Sequence, residues 1–194
     1  MKITNLAENA EDFTGNIWYI EGGENVLVDT GTGDSWQEIE QLEQVDKVVV
    51  THSHYDHVDN LPKIVDRYSP EVYAHEPGNL PVEDVREIGE GDKIELSGVT
   101  FRVIHTPGHR DDSVCLYSPE EKILFTGDLV FPEGGFGRTD LEQGDRDRLI
   151  ESIKKVAGLE VNEFYPGHDG AVKKNAENWI QQSLGEAEKR EPKY

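Results

Sequence analysis

A run of three valines, Val48, Val49 and Val50, leads without a break into Thr51-His52-Ser53-His54-Tyr55-Asp56-His57. A short apolar run of this kind reads as a strand covered on both faces, the strand type of a sheet flanked by helices. The histidine-rich stretch then lies in a loop at a strand end, where α/β sheets gather their ligand-binding groups. In extended chain, residues two apart point the same way, so His52, His54 and Asp56 share a side and His57 does not. All four converge only if the loop curls, and two metals side by side would use both directions. Neutral imidazoles and carboxylates suit Zn2+, with Fe or Mn as alternatives.

The surrounding sequence alternates strand and helix signals. Strands are expected at 16–20 and 25–29 around the turn Glu21-Gly22-Gly23-Glu24, and Asp34 is expected to cap a helix presenting Trp36, Ile39 and Leu42 on one face. A helix follows at 60–68 with Pro62 in its first turn, then a strand at 71–75. Strands are expected at 93–96, 99–106, 113–117 and 122–126. Asp145 opens a helix that turns Leu149, Ile150, Ile153 and Val156 inward and stops at Gly158. A strand at 163–165 and a helix at 173–184, ended by Gly185, complete the order. The expectation is one α/β domain over residues 1–194, with no separate C-terminal substrate-binding domain.

Charge narrows the partners. The chain has 19 Lys and Arg against 40 Asp and Glu, a net −21, which disfavours nucleic acid and anionic membrane surfaces as partners. Recurrent apolar runs exclude a disordered acidic chain. The acids are spread from Glu38, Glu40 and Glu43 to Glu186 and Glu188, the pattern expected of a halophilic protein in a salt-filled cytosol. No secretory or membrane-spanning apolar stretch is visible, so the expected location is cytoplasmic, with no membrane partner. Cys115 is the only cysteine, so any metal must be held by His and carboxylate.

Three more donors stand in matching contexts, each just past a strand: His109 in Thr106-Pro107-Gly108-His109, Asp128 in Thr126-Gly127-Asp128, and His168 in Tyr165-Pro166-Gly167-His168. With Val26-Leu27-Val28-Asp29-Thr30-Gly31 upstream, this set resembles the metallo-β-lactamase-fold hydrolases, and within them the glyoxalase II-like branch. The resemblance covers nearly the whole chain. It implies a four-layer αβ/βα sandwich of two facing mixed sheets flanked by helices, with two divalent metals at one edge. By that resemblance His52, His54 and His109 ligate one metal and Asp56, His57 and His168 the other, while Asp128 bridges them and Asp29 supports the metal loop.

Such a pair of metals implies a binuclear hydrolase using a bridging hydroxide, with Asp56, His57 and Asp128 closest to the chemistry. Neither Ser53 nor Cys115 is needed as a nucleophile. The expected substrate is a small thioester or related ester. Only 26 residues follow His168, and Gly170 stands where glyoxalase II resemblance implies a substrate-contacting aromatic. Another small thiol or an acyl carrier is therefore expected in place of glutathione. Arg138, in Gly134-Gly135-Phe136-Gly137-Arg138-Thr139-Asp140, is a candidate fork for a substrate carboxylate, or else a partner of Asp140 or Asp145. Phe131, Tyr165 and Trp179 are read as core residues before pocket residues. The alternatives are a phosphodiesterase acting as ribonuclease or exonuclease, a persulfide dioxygenase with one iron on His52, His109 and Asp128, and a non-catalytic metal-binding module.

Overall fold

The structure is a computed structural model that describes residues 1–76 and 79–189. Its apolar runs are divided between two sheets. The first holds β1 (Lys2–Asn5), β2 (Trp18–Glu21), β3 (Val26–Val28), β4 (Lys47–Val49), β5 (Glu71–Ala74) and β6 (Val85–Glu87), side by side in chain order. Strands β1 to β3 pair antiparallel and β3 to β6 parallel. The second sheet has the order β11-β10-β9-β8-β7, built from β7 (Lys93–Leu96), β8 (Val99–His105), β9 (Val114–Ser118), β10 (Ile123–Gly127) and β11 (Glu163–Pro166). Only β10 and β11 are parallel there. Both sheets are mixed.

Alternation along each strand sends side chains to two faces, and both faces are covered. Trp18, Ile20, Val26, Val28 and Val49 of the first sheet meet Phe101, Val103, Leu116 and Phe125 of the second in a central layer. The outer face of the first sheet, with Leu27, Val48 and Val72, packs on Ile39 of α1 (Trp36–Ile39), Val58 of α2 (Tyr55–Val58), and Leu61 and Ile64 of α3 (Leu61–Tyr68). The outer face of the second, with Ile104, Cys115, Leu124 and Phe164, packs on α4 (Arg146–Ala157) and α5 (Ala176–Glu188). Three apolar layers between four structural layers give the αβ/βα sandwich.

Several local expectations need correction. The helix expected from Asp34 is a 3-10 turn, Gly33–Ser35, followed by the single turn of α1, and the residue preceding α1 is Ser35 with no side-chain cap. The cause is a competing partner: the Tyr68 hydroxyl donates to the carbonyls of Ile39 and Leu42, and Arg67 donates to that of Glu40. The last helix starts at Ala176, because Asn175 is left-handed at φ 57°, and it runs through Gly185. Burial of Ala187 and the Arg146 guanidinium on the carbonyls of Glu186, Ala187 and Lys189 carry it past the glycine. Short edge strands β1 and β6 were not foreseen. Asp145 does cap α4, its carboxylate accepting from the Arg148 amide at 3.0 Å.

Strands β3 and β4 run in one direction in the first sheet, and β8, β10 and β11 share a direction in the second. Their C-terminal ends carry, in turn, Asp29, the 52–54 loop running into α2, the 106–113 loop, Asp128 and His168; the histidine stretch expected as a loop thus ends in a helical turn that bears Asp56 and His57. The Val114 amide donating to the Thr51 carbonyl at 2.9 Å ties the two edges together there.

Candidate metal centre

His52, His54, Asp56, His57, His109, Asp128 and His168 come together at this edge. The ligand atoms of His52, His54 and His109 lie within 4.8 Å of one another, and so do those of Asp56, His57 and His168. Within the first trio His54 Nδ1 is 3.2 Å from His52 Nε2 and 2.8 Å from His109 Nε2. Within the second, His168 Nε2 is 3.1 Å and His57 Nε2 3.7 Å from Asp56 Oδ2. Asp128 stands between them: Oδ2 is 3.4 Å from His109 Nε2 and 3.5 Å from His168 Nε2, and Oδ1 is 3.5 Å from His57 Nε2.

Outer partners decide which ring nitrogen faces inward. His109 Nδ1 donates to the Arg138 carbonyl at 2.8 Å, leaving Nε2 for the interior. His57 Nδ1 lies 2.8 Å from Asp29 Oδ2, and His52 Nδ1 lies 3.1 Å from Thr51 Oγ1. Thr51 already donates its hydroxyl hydrogen to Asp29 at 2.7 Å, so it accepts from His52. Fixing one nitrogen so that the other faces a metal is the usual arrangement of ligating histidines.

The centre fits cations on its own chemistry. His57 Nε2 and Asp128 Oδ1 are buried without a hydrogen-bond partner, a costly state for groups that face one another across the site. Burial disfavours charge on His57, but the carboxylates of Asp29, Asp128 and Asp56 outweigh it and carry its pKa up to about 9. Burial likewise opposes the charged forms of Asp56 and His168. The hydrogen bond between them prevails, taking Asp56 down to about 2 and His168 upward. On the other side burial, with help from His109, brings His54 down to about 4, and burial lowers His52 and His109 as well. The first trio thus presents neutral imidazoles, and the second attracts positive charge around buried carboxylates. Neutral imidazoles are ready to ligate a divalent cation, and in the second trio such a cation would replace the protons that the carboxylates hold on His57 and His168.

Two glycines permit the approach. A Cβ on Gly167 would run into Asp128 Oδ1 and lie 2.8 Å from His57 Cε1, and one on Gly15 would lie 2.8 Å from His57 Cε1. Supporting residues that sequence reading passed over are Asn16, Asn5 and Asp112. Each acts through contacts distant in sequence, so no local signal announces them. Phe13 is 79% exposed and stacks on His168 at 5.4 Å, 23° from coplanar, with Phe131 at 6.1 Å from the same ring. Tyr165 is buried and Trp179 packs on the α4/α5 layer. Arg138 contributes its carbonyl to the centre, while its exposed guanidinium forks onto Asp140 with two bonds of 2.7 Å.

Comparison with known proteins agrees with this architecture. Residues 10–168 match the metallo-beta-lactamase superfamily. The chain is 32% identical over 183 residues to the atrochrysone carboxyl ACP thioesterase of Aspergillus fumigatus, covering 88% of this chain and 55% of that protein. It is 34% identical over 165 residues to the hydroxyacylglutathione hydrolase of Hydrogenovibrio crunogenus, covering 84% of this chain and 56% of that one. It therefore spans about half the length of the curated relatives it matches. Among solved structures, TTHA1623 in a di-iron-bound form superposes with a TM-score of 0.66 at 29% identity, over 82% of this chain and 89% of that chain. The chain belongs to the metallo-beta-lactamase superfamily.

Proposed function

We propose that this protein is a binuclear metal-dependent hydrolase of small thioesters or related esters. The observation that carries the reading is the pair of three-ligand groups on either side of Asp128. In this reading His52, His54 and His109 hold one divalent cation and Asp56, His57 and His168 the other, with Asp128 shared between them. Zinc suits the donors, and iron or manganese is compatible with them. Two such cations, when bound, supply Lewis acidity and lower the pKa of a shared water toward neutrality. Asp56 and Asp128 would hold the cations with their carboxylate oxygens, and Asp29 fixes His57 through Nδ1 so that Nε2 faces them.

Neither Cys115 nor Ser53 competes with this route as a nucleophile. The Cys115 thiol is buried in β9, which pushes its pKa up to about 12, and Ser53 Oγ is committed to Asp112. The thioesterase and hydroxyacylglutathione hydrolase among the relatives favour a thioester substrate. Asp140 occupies the Nε/Nη2 edge of the exposed Arg138 guanidinium, so a substrate carboxylate would have to displace it to use that edge. Seven converging donors favour two metals over the single iron of a persulfide dioxygenase.

The test is metal quantification combined with a panel of thioesters, phosphodiesters and lactones at high salt. About two metals per chain and turnover of at least one thioester are expected. Two bound metals with every thioester untouched would overturn the substrate assignment. One iron with oxygen uptake would overturn the hydrolase.

A further inference from the structure

We infer that the two halves of the metal centre are braced separately, Asp112 setting the His52/His54/His109 half and Asn16 the Asp56/His57/His168 half. This rests on the binuclear reading above. Asp112 is buried on the loop that carries His109. Its Oδ2 accepts from the Ser53 amide at 3.2 Å and from the Ser53 hydroxyl, and its Oδ1 accepts from Arg110 Nε at 3.2 Å. Ser53 is the residue between His52 and His54. One carboxylate thus fixes the distance between the loop of two ligands and the loop of the third.

The other half is held from the segment before β2. The Gly15 amide donates to the Asp56 carbonyl at 2.9 Å, with Gly15 packed against the His57 ring. The next residue grips the opposite ligand loop. The Asn16 amide donates to the Gly167 carbonyl at 2.6 Å, and its side-chain Nδ2 donates to the carbonyls of Pro166 at 2.9 Å and Asp169 at 2.7 Å. These carbonyls flank His168 on both sides. Asn16 Oδ1 accepts from Asn5 Nδ2 at 2.8 Å, which fixes the orientation of the amide. Asn16 is itself buried, so loss of its side chain takes the Nδ2 donor from the Asp169 carbonyl and leaves the Pro166 carbonyl to Trp18 Nε1 alone, at 2.8 Å.

Neither brace contacts the ligands of the opposite half in any of these bonds, so each is a positioning residue for one cation. Outer partners of metal ligands commonly change affinity about 10–100-fold. The experiment is stepwise Zn2+ binding by competition with a chromophoric chelator, on wild type, Asn16→Ala, Asp112→Ala and the reference variants His168→Ala and His54→Ala. The milder Asn5→Ala and Ser53→Ala serve if a buried deletion fails to fold, and thermal unfolding checks folding of all. Asn16→Ala is expected to weaken one of the two zinc ions about tenfold or more and leave the other within about threefold. Its loss should be non-additive with His168→Ala. Asp112→Ala should do the converse, paired with His54→Ala. Equal weakening of both ions by either variant, or no weakening by both, overturns the inference while leaving two metals intact. A wild type that binds fewer than two zinc ions overturns the binuclear reading, and this inference with it.

Discussion

Asp29 accepts from the Thr51 amide, the Thr51 hydroxyl and His57 Nδ1, at 2.7, 2.7 and 2.8 Å, from a left-handed backbone at φ 62°. Three donors on one buried carboxylate leave no room for an amide, because an asparagine NH2 would confront a donor. Asp29→Asn should retain the fold and lower metal affinity about 10–100-fold, measured by chelator competition. Unchanged affinity would show that the carboxylate does not control the histidines. Gly167→Ala is the steric counterpart. The added methyl collides with Asp128, so metal content should fall and kcat/KM with it by at least about 100-fold, an effect of the size that misplaced catalytic groups produce. Metal content unchanged in that variant would mean the His168 loop yields instead.

At the scale of elements, strands buried on both faces also bury what they carry. Cys115 on β9 is fully enclosed, with Thr126 O at 3.4 Å and Thr106 Oγ1 at 3.5 Å, and burial lifts its pKa to about 12. A raised thiol pKa stabilises the fold below the unfolded value of about 9 and is lost as pH climbs from there toward 12. The thiol should therefore resist a disulfide reagent at pH 8 until the protein is unfolded; rapid labelling of native protein would contradict its placement. The elements themselves were legible where local chemistry governs. The Val48–Val50 run, the Asp145 cap and the Gly158 stop act within a turn or two of themselves. Residues governed from afar were not legible. Tyr68 and Arg67 of α3 take the carbonyls that would have continued α1, and Arg146 of α4 extends α5 past Gly185. The same distinction divides the site. Its seven donors announce themselves as short motifs at strand ends, whereas Asn16 reaches His168's loop across 150 residues of sequence.

For the whole molecule, a net charge of −21 implies self-repulsion in dilute buffer. Raising ionic strength from about 0.1 to 1 M shortens the screening length from about 10 to 3 Å, so the unfolding temperature should rise with salt. A flat or falling response would remove the high-salt interpretation of this surface. No helix among the described residues is long and apolar enough to cross a membrane. On the binuclear proposal a cation pair would have a structural role as well as a chemical one, since it would join loops from both sheets at the edge where they meet. The most direct measurement is an anomalous difference map at the metal edge from crystals grown with zinc. Two peaks about 3.5–4 Å apart are expected, one among His52, His54 and His109, one among Asp56, His57 and His168, with Asp128 between them. A single peak, or density away from these side chains, would contradict the account.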